Sequence, residues 1–189
     1  GHLCRAGDLG GPPRRLTARA MTLPRIDVFE PDTEAWLDAT REIFREYADG
    51  VGVDLAFQNF EAELAGLPGD YAPPGGVLLL ALVDGQLAAC GALRALPDVD
   101  YPNACEMKRL YVRRAFRRFG LGRTLAQALI DRAMECGYST LLLDTLDDME
   151  AARGLYTSLG FEEIPPYYFN PVPGAHYLKV ALDDHGTRW

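Results

Sequence analysis

Glu106-Met107-Lys108-Arg109-Leu110-Tyr111-Val112, followed by Arg113 to Phe119 and then Gly120-Leu121-Gly122-Arg123-Thr124, is the stretch that decides how this chain is read. Its first part reads as a strand. Its last part opens a helix from Gly122 to Cys136, with Leu125, Leu129 and Ala133 facing inward and Gly137 as the stop. Glycines at such a junction let successive backbone N–H groups point into one concavity, and the helix start adds its partial positive charge, a geometry suited to a pyrophosphate. Seven of the 19 Lys and Arg residues fall between 108 and 123 with no acid among them, in a chain of net charge −8. A glycine-opened helix beside a solvated basic turn is the plainer alternative, and the concentration of arginine in an acidic chain favours an anion site. Two common phosphate motifs are excluded: G-x-x-x-x-G-K-[ST] is absent, and a dinucleotide fingerprint needs glycine where Leu125 stands.

Upstream, Leu78 to Val83, Asp84-Gly85 and Gln86 to Leu93 read as a hairpin, because Asp-Gly supplies the positive φ angles of a two-residue turn. A short strand at Ile26 leads to Asp32 as candidate N-cap of a helix carrying Trp36, Leu37, Ile43, Phe44 and Tyr47 and stopping at Asp49-Gly50. A second helix is expected around Phe57 to Ala65. Downstream come a strand from Leu141 to Thr145, a helix from Met149 to Leu159 closed by Gly160, and strands at Phe161 to Ile164 and Tyr177 to Leu182. The order implies an α/β protein.

Length and composition agree with one domain. The chain has 189 residues, 48% hydrophobic and 24% charged, enough for a sizeable core and unlike a disordered chain. Apolar runs such as Val77 to Val83 are too short to cross a bilayer and no signal peptide opens the sequence, so we expect a cytoplasmic protein without a membrane partner. Cys4, Cys90, Cys105 and Cys136 form no C-x-x-C pair and have no histidine at ligand spacing, which argues for free thiols and against bound metal. The acidic balance disfavours a nucleic-acid partner. Hydrolase and metalloprotease readings lack parts: neither Ser139 nor Ser158 lies in G-x-S-x-G, and the histidines form no H-E-x-x-H.

The string R-x-x-G-x-G (Arg117, Gly120, Gly122) after a strand, then Leu155-Tyr156-x-x-x-Gly160-Phe161, resembles the GNAT superfamily of acyl-CoA-dependent N-acetyltransferases, over roughly Ile26 to Leu182. The resemblance implies a GNAT-like fold, a central mixed, mostly antiparallel, twisted sheet flanked by helices, and acetyl-CoA as co-substrate. It implies that Arg117, Arg118, Gly120, Gly122, Arg123 and Thr124 surround the CoA pyrophosphate, bound mainly by backbone amides, and that the strand edge at Leu110 and Val112 pairs with the pantetheine arm. Many members carry a pantetheine-binding asparagine seven residues before the tyrosine, where this chain has Met149.

Acetyl transfer to an amine asks for a base, an oxyanion donor and an acid. Glu106 is the candidate base, eleven residues before Arg117, where some members of the family place a catalytic glutamate. The alternative, an ordinary ion pair with Lys108 on the same strand face, stays open at this point. Tyr156 is the candidate acid for the CoA thiolate, the role the family gives this tyrosine, against a purely packing role beside Ala152, Leu155 and Leu159. The backbone N–H of Leu110 is the candidate oxyanion donor, on the condition that a bulge opens the strand there. Cys105 reads as a small buried hydrophobe rather than an acyl carrier.

The acceptor expected is a small primary amine. Leu67-Pro68-Gly69-Asp70-Tyr71-Ala72-Pro73-Pro74 and Pro165-Pro166-Tyr167-Tyr168-Phe169-Asn170-Pro171 are rigid and aromatic, and in the family's layout they flank the acceptor side, with Tyr71, Tyr167 and Tyr168 as contacts. Without residues 1–20, 15 basic and 26 acidic residues remain, net −11, a field that draws cations. The alternatives are a non-catalytic acyl-CoA-binding module or an enzyme acting on protein N-termini or lysines; a homodimer is left open. Residues 1–20, Gly-, Pro- and Arg-rich and without apolar periodicity, read as an extension or tag-derived appendage to a single domain over 21–189. Deleting residues 1–20 is expected to leave the melting temperature within about 2 °C of the full chain, checked by thermal unfolding; a drop of several degrees would show that they pack on the domain.

Overall fold

The computed structural model describes residues 22–52, 54–146 and 150–182. In chain order the elements are β1 (Ile26–Phe29), α1 (Glu34–Val51), α2 (Phe60–Ala65), β2 (Val77–Val83), β3 (Gln86–Ala95), β4 (Ala104–Val112), α3 (Leu121–Glu135), β5 (Thr140–Leu146), α4 (Glu150–Ser158), β6 (Glu162–Ile164) and β7 (Ala175–Ala181). The strands form one seven-stranded sheet in the order β1-β2-β3-β4-β5-β7-β6. Among the described strand pairs only β4–β5 is parallel, so the sheet is mixed and mostly antiparallel, as expected.

Successive side chains of a strand face opposite sides, and here both sides are covered. Val77, Leu79, Ala81 and Val83 of β2 join a core with Leu125, Leu129 and Ala133 of α3 and with Tyr156 of α4. Leu78 and Leu80 join a second core with Ile43 and Phe44 of α1 and Phe60 and Leu64 of α2. That is why β2 reads as an unbroken apolar run rather than an alternating one.

Local signals place most element ends. Asp84 and Gly85 have φ of 48° and 81°, the left-handed pair the hairpin requires. Three expected ends move. Thr33, not Asp32, caps α1, its hydroxyl accepting the Trp36 N–H at 3.2 Å. The helix runs past Asp49-Gly50 and ends at Gly52, whose φ of 66° lets its N–H return to Asp49 O. The second helix is split: a 3-10 turn over 55–58 and α2 are separated by Asn59 at φ 58°. Residues 1–20 and Met149 lie outside the described residues. Among the described residues no helix is long and apolar enough to cross a membrane.

One buried ion pair ties the second core to the sheet. The Arg109 side chain of β4, 3% exposed, gives Nε to Glu63 Oε2 at 2.9 Å, Nη2 to Glu63 Oε1 at 3.1 Å and Nη1 to Gln58 Oε1 at 2.9 Å. Its guanidinium also lies over the Tyr47 and Phe60 rings, 5.7 and 5.2 Å from their centroids. Removing one partner of such a pair leaves the other charge buried alone, so Glu63→Ala is expected to lower the unfolding free energy by about 3–5 kcal/mol. Urea denaturation checks this, and a loss below about 1 kcal/mol would show that water reaches Arg109.

Candidate active site

β4 and β5 pair over only three residues each, Ala104–Glu106 against Thr140–Leu142. Beyond them β5 stays with β7 to its end at Leu146, and β4 stays with β3. A cavity of about 50 Å³, room for about four water-sized groups, lies where the two strands part. Met107 to Leu110 line it from β4, Leu143 to Leu146 from β5, Tyr156 from α4, and Tyr47, Gln58, Asn170 and Val172 from the segments around it.

The bulge on which Leu110 depended is present. Cys90 faces Tyr111 and Ala92 faces Lys108, so Arg109 and Leu110 together stand opposite Gly91. Arg109 takes φ 60°, outside the strand region for a non-glycine residue. Such an insertion interrupts the ladder and frees a backbone amide locally. Gly91 stands opposite it with little room to spare: a Cβ there would lie 2.9 Å from Leu129 Cδ1 and 3.4 Å from Leu110 Cδ1, so a side chain would make those leucines shift.

Tyr156 reaches the same cavity from the α3/α4 side. It is 6% exposed and packs edge-on against Phe161 at 5.5 Å, which is the packing role weighed for it. Its hydroxyl nonetheless has no hydrogen-bond partner among the described residues and is not sealed in, so it opens on the cavity. Burial pushes this phenol well above its ordinary value, which keeps the proton on it at any working pH.

The glycine turn ends at the start of α3. Gly120 takes φ 67° and no side chain caps the helix. The Thr124 N–H already closes the first turn on Gly120 O at 3.1 Å, so the amides a helix start presents outward are those of Leu121, Gly122 and Arg123. The Thr124 hydroxyl also bonds Gly120 O. A Cβ on Gly122 would stand 3.5 Å from Leu155 and 4.0 Å from Val112, which puts this turn beside α4 and the end of β4. Arg117 gives Nε to Val112 O, Arg118 stacks on Phe119 at 4.5 Å, and Arg123 bonds Ser158 Oγ, all three on the exposed surface. The acid-free basic run is therefore only partly an anion surface. Arg113 pairs with Glu46 at 2.7 Å, Arg109 with Glu63, and Lys108 with Glu106 at 3.6 Å, acids that lie far away in sequence for the first two.

On the opposite face of the sheet the expected residues separate. Glu106 is 1% exposed and does not line the cavity; Arg94 holds its Oε1 at 2.9 Å and the Tyr167 hydroxyl donates to its Oε2 at 2.8 Å. The ion pair with Lys108 is thus formed, within a larger cluster. Lys108 lines the cavity, gives Nζ to Gln58 Oε1 at 3.1 Å, and has its amine lowered from the ordinary lysine value by burial, against the pull of Glu106. Tyr71 is not among the residues lining this cavity: it is 3% exposed and its hydroxyl donates to Glu63 Oε1 at 2.8 Å, the oxygen that also accepts from Arg109 Nη2. Tyr167 and Tyr168 pack together at 5.4 Å; Tyr168 bonds the cavity residue Asp144, Tyr167 bonds Glu106, which does not line the cavity, and Asn170 and Val172 of the same loop line it directly. Sequence reading passed over Lys108, Asp144 and Asn170 as cavity residues; Asn170-Pro171 beside two tyrosines was the available signal for the last.

A parallel strand pair that parts near a bulge, with an uncapped glycine helix start beside it, is the arrangement that the resemblance to the acyl-CoA-dependent acetyltransferases implied. The sequence profile of the acetyltransferase (GNAT) family matches residues 29–161, and the chain belongs to that family. It is 40% identical over 147 residues to an uncharacterised N-acetyltransferase of Schizosaccharomyces pombe, covering 77% of this chain and 88% of that one. It is 32% identical over 102 residues to the N-acetylaspartate synthetase of Rattus norvegicus, 54% of this chain and 33% of that protein. Among solved structures, an acetyltransferase of the GNAT family from Staphylococcus aureus superposes with a TM-score of 0.68 at 19% identity, covering 84% and 99% of the two chains. The chain is an acyl-CoA-dependent N-acetyltransferase with acetyl-CoA as its co-substrate. Gly120→Glu is expected to weaken acetyl-CoA binding by more than about tenfold, since it sets a negative side chain and a strained φ where phosphate must approach backbone. Calorimetry checks this; an unchanged affinity would remove the turn from the CoA site.

Proposed function

We propose that the chain transfers the acetyl group of acetyl-CoA directly to the primary amine of a small molecule, within the cavity between β4 and β5. One observation carries the reading: the Tyr156 hydroxyl and the opened strand at Arg109-Leu110 meet at that single cavity. The Leu110 N–H is then the donor to the thioester carbonyl as it gains negative charge. Tyr156 supplies a proton to the departing CoA sulfur, a role suited to a phenol that burial keeps protonated. The amides of Leu121, Gly122 and Arg123, with Arg117 and Arg118 beside them, receive the pyrophosphate, and the β4 edge toward Val112 runs between that turn and the cavity.

A small acceptor is supported by the size of the cavity, about 50 Å³, under the loop that carries Asn170 and Val172. A protein tail would need an open groove. The similar N-acetylaspartate synthetase is named for a small-molecule product. In this reading Tyr167 and Tyr168 position the acceptor side through Glu106 and Asp144, and Glu106 orders Lys108 and Tyr167 rather than meeting the amine itself.

Tyr156→Phe is expected to lower kcat by about 10²-fold while the Kd for acetyl-CoA changes less than about twofold, because the hydroxyl matters only as the C–S bond breaks. Thiol release with a panel of primary amines, beside calorimetry with acetyl-CoA, checks both. An unchanged kcat would return Tyr156 to a packing role.

A further inference from the structure

Asp144 stands on β5 between Leu143, which joins the α3/α4 core, and Thr145, so its side chain belongs to the opposite face of the sheet. It lines the cavity there, across from Tyr156. Two donors fall on one of its oxygens: the Tyr168 hydroxyl reaches Oδ2 at 2.5 Å and Asn170 Nδ2 reaches the same atom at 3.3 Å. Asn170 is itself held, its Oδ1 accepting the Val172 N–H at 2.9 Å and its Nδ2 3.3 Å from the Tyr168 hydroxyl. The other oxygen, Oδ1, has no hydrogen-bond partner among the described residues and is not closed off. A carboxylate pinned through one oxygen and open through the other is held in place, and it borders the cavity.

We propose that Asp144 is the carboxylate that meets the acceptor: Oδ1 binds the substrate's ammonium and removes its proton, while Tyr168 and Asn170 hold Oδ2. The proposal rests on the small-molecule transfer described above and gives that site its base. The ammonium N–H bond breaks and the proton passes to Oδ1, from which it leaves to water. The freed lone pair forms the C–N bond at the thioester carbon, on the face away from Tyr156. The C–S bond then breaks with its electron pair on sulfur, and sulfur takes the Tyr156 proton. The second proton, carried by nitrogen after the C–N bond has formed, restores the Tyr156 hydroxyl through the cavity. Each turnover converts one ammonium and one thioester into one amide, one thiol and one released proton.

The groups around Asp144 fit that task. Lys108, Arg109 and Glu106 face it from β4, Tyr168 and Tyr167 from the loop before β7, Tyr177 from β7, Tyr47 from α1 and Tyr156 from α4. Burial raises the Asp144 carboxyl above the usual carboxylate value, and the Tyr168 bond, Lys108 and Arg109 pull it partly back. A carboxylate with a raised pKa is the stronger proton acceptor. Its working form is lost as pH falls through that raised value, so this carboxyl sets an acid limb in the pH profile of kcat/KM. Glu106, by contrast, has both oxygens engaged and no cavity face.

The test compares wild type, Asp144→Asn and Tyr168→Phe by thiol release from acetyl-CoA with a panel of the common amino acids and simple primary alkylamines, across pH. Asparagine keeps the shape and still accepts from Tyr168, so thermal melting should stay near wild type. The expected result is a loss of about 10²-fold in kcat/KM for the Asn variant at about pH 6, shrinking as pH rises and more amine is already neutral. The acid limb should flatten, the acetyl-CoA Kd should stay within twofold, and Tyr168→Phe should lower kcat several-fold and shift that limb without abolishing it. An Asn variant with the wild-type profile on a wild type that turns over the panel overturns this assignment and leaves the transfer reading standing. Loss of acetyl-CoA affinity in the Asn variant also overturns it, since Asp144 would then be a pantetheine contact. A wild type that releases no thiol with any amine of the panel overturns the small-molecule reading and this assignment together.

Discussion

Arg109 and Leu110 of β4 stand opposite the single residue Gly91 of β3, and the extra residue changes what β4 can do from that point on. In a regular strand consecutive side chains leave on opposite faces. Here Lys108 and Arg109 both turn to the α1/α2 side, where each bonds Gln58, while Leu110 packs with the α3/α4 core. The ladder opens, an amide is freed, and β4 bends away from β5 beyond Glu106. Gly91 permits this because Leu129 and Leu110 occupy the space its side chain would need. The helices on the far side are drawn into the same arrangement: a buried guanidinium needs Glu63 and Gln58, and those come from α2 and the turn before it.

The cavity that results lies in the sheet itself, reached from two differently built sides. Toward α3 and α4 the surroundings are apolar apart from Tyr156, and the helix start with its exposed arginines lies beside them. Toward α1 and α2 charge is dense but balanced, with Arg94, Lys108 and Arg109 set against Glu63, Glu106 and Asp144. Division of this kind sets the exposed arginines and the buried carboxylates of a strongly acidic chain on different sides of the sheet. Among the described residues lining the cavity, the Tyr156 hydroxyl and Asp144 Oδ1 are two polar groups without a hydrogen-bond partner, and they approach from opposite faces. An amine attacking a thioester carbon needs this separation, since the nucleophile loses its proton on one side while the leaving sulfur gains one on the other.

What could be read from the chain alone was what short-range chemistry dictates. Asp84-Gly85, Gly137 and Gly160 adopt left-handed backbone, which glycine takes at little cost, and each marks a turn or an element end at its expected place. The apolar periods of α3 and α4, the spacing of Arg117, Gly120 and Gly122 and that of Tyr156 and Gly160 each depend on residues close together in the chain, so fold, family and co-substrate were legible there. The N-terminal boundary at Thr33 and the break at Asn59 were not, because several polar residues compete for each cap and packing chooses among them. Folding alone decided where the charged and aromatic side chains point. Arg109 and Glu63 are 46 residues apart, Asp144 and Tyr168 are 24 apart, and no local pattern announces either pair. The one-residue insertion puts Arg109 on the same face as Lys108 and Leu110 on the other, a placement that sequence spacing does not reveal. Long-range packing of the same kind sets the Tyr71 hydroxyl on Glu63 and places Asp144 at the cavity.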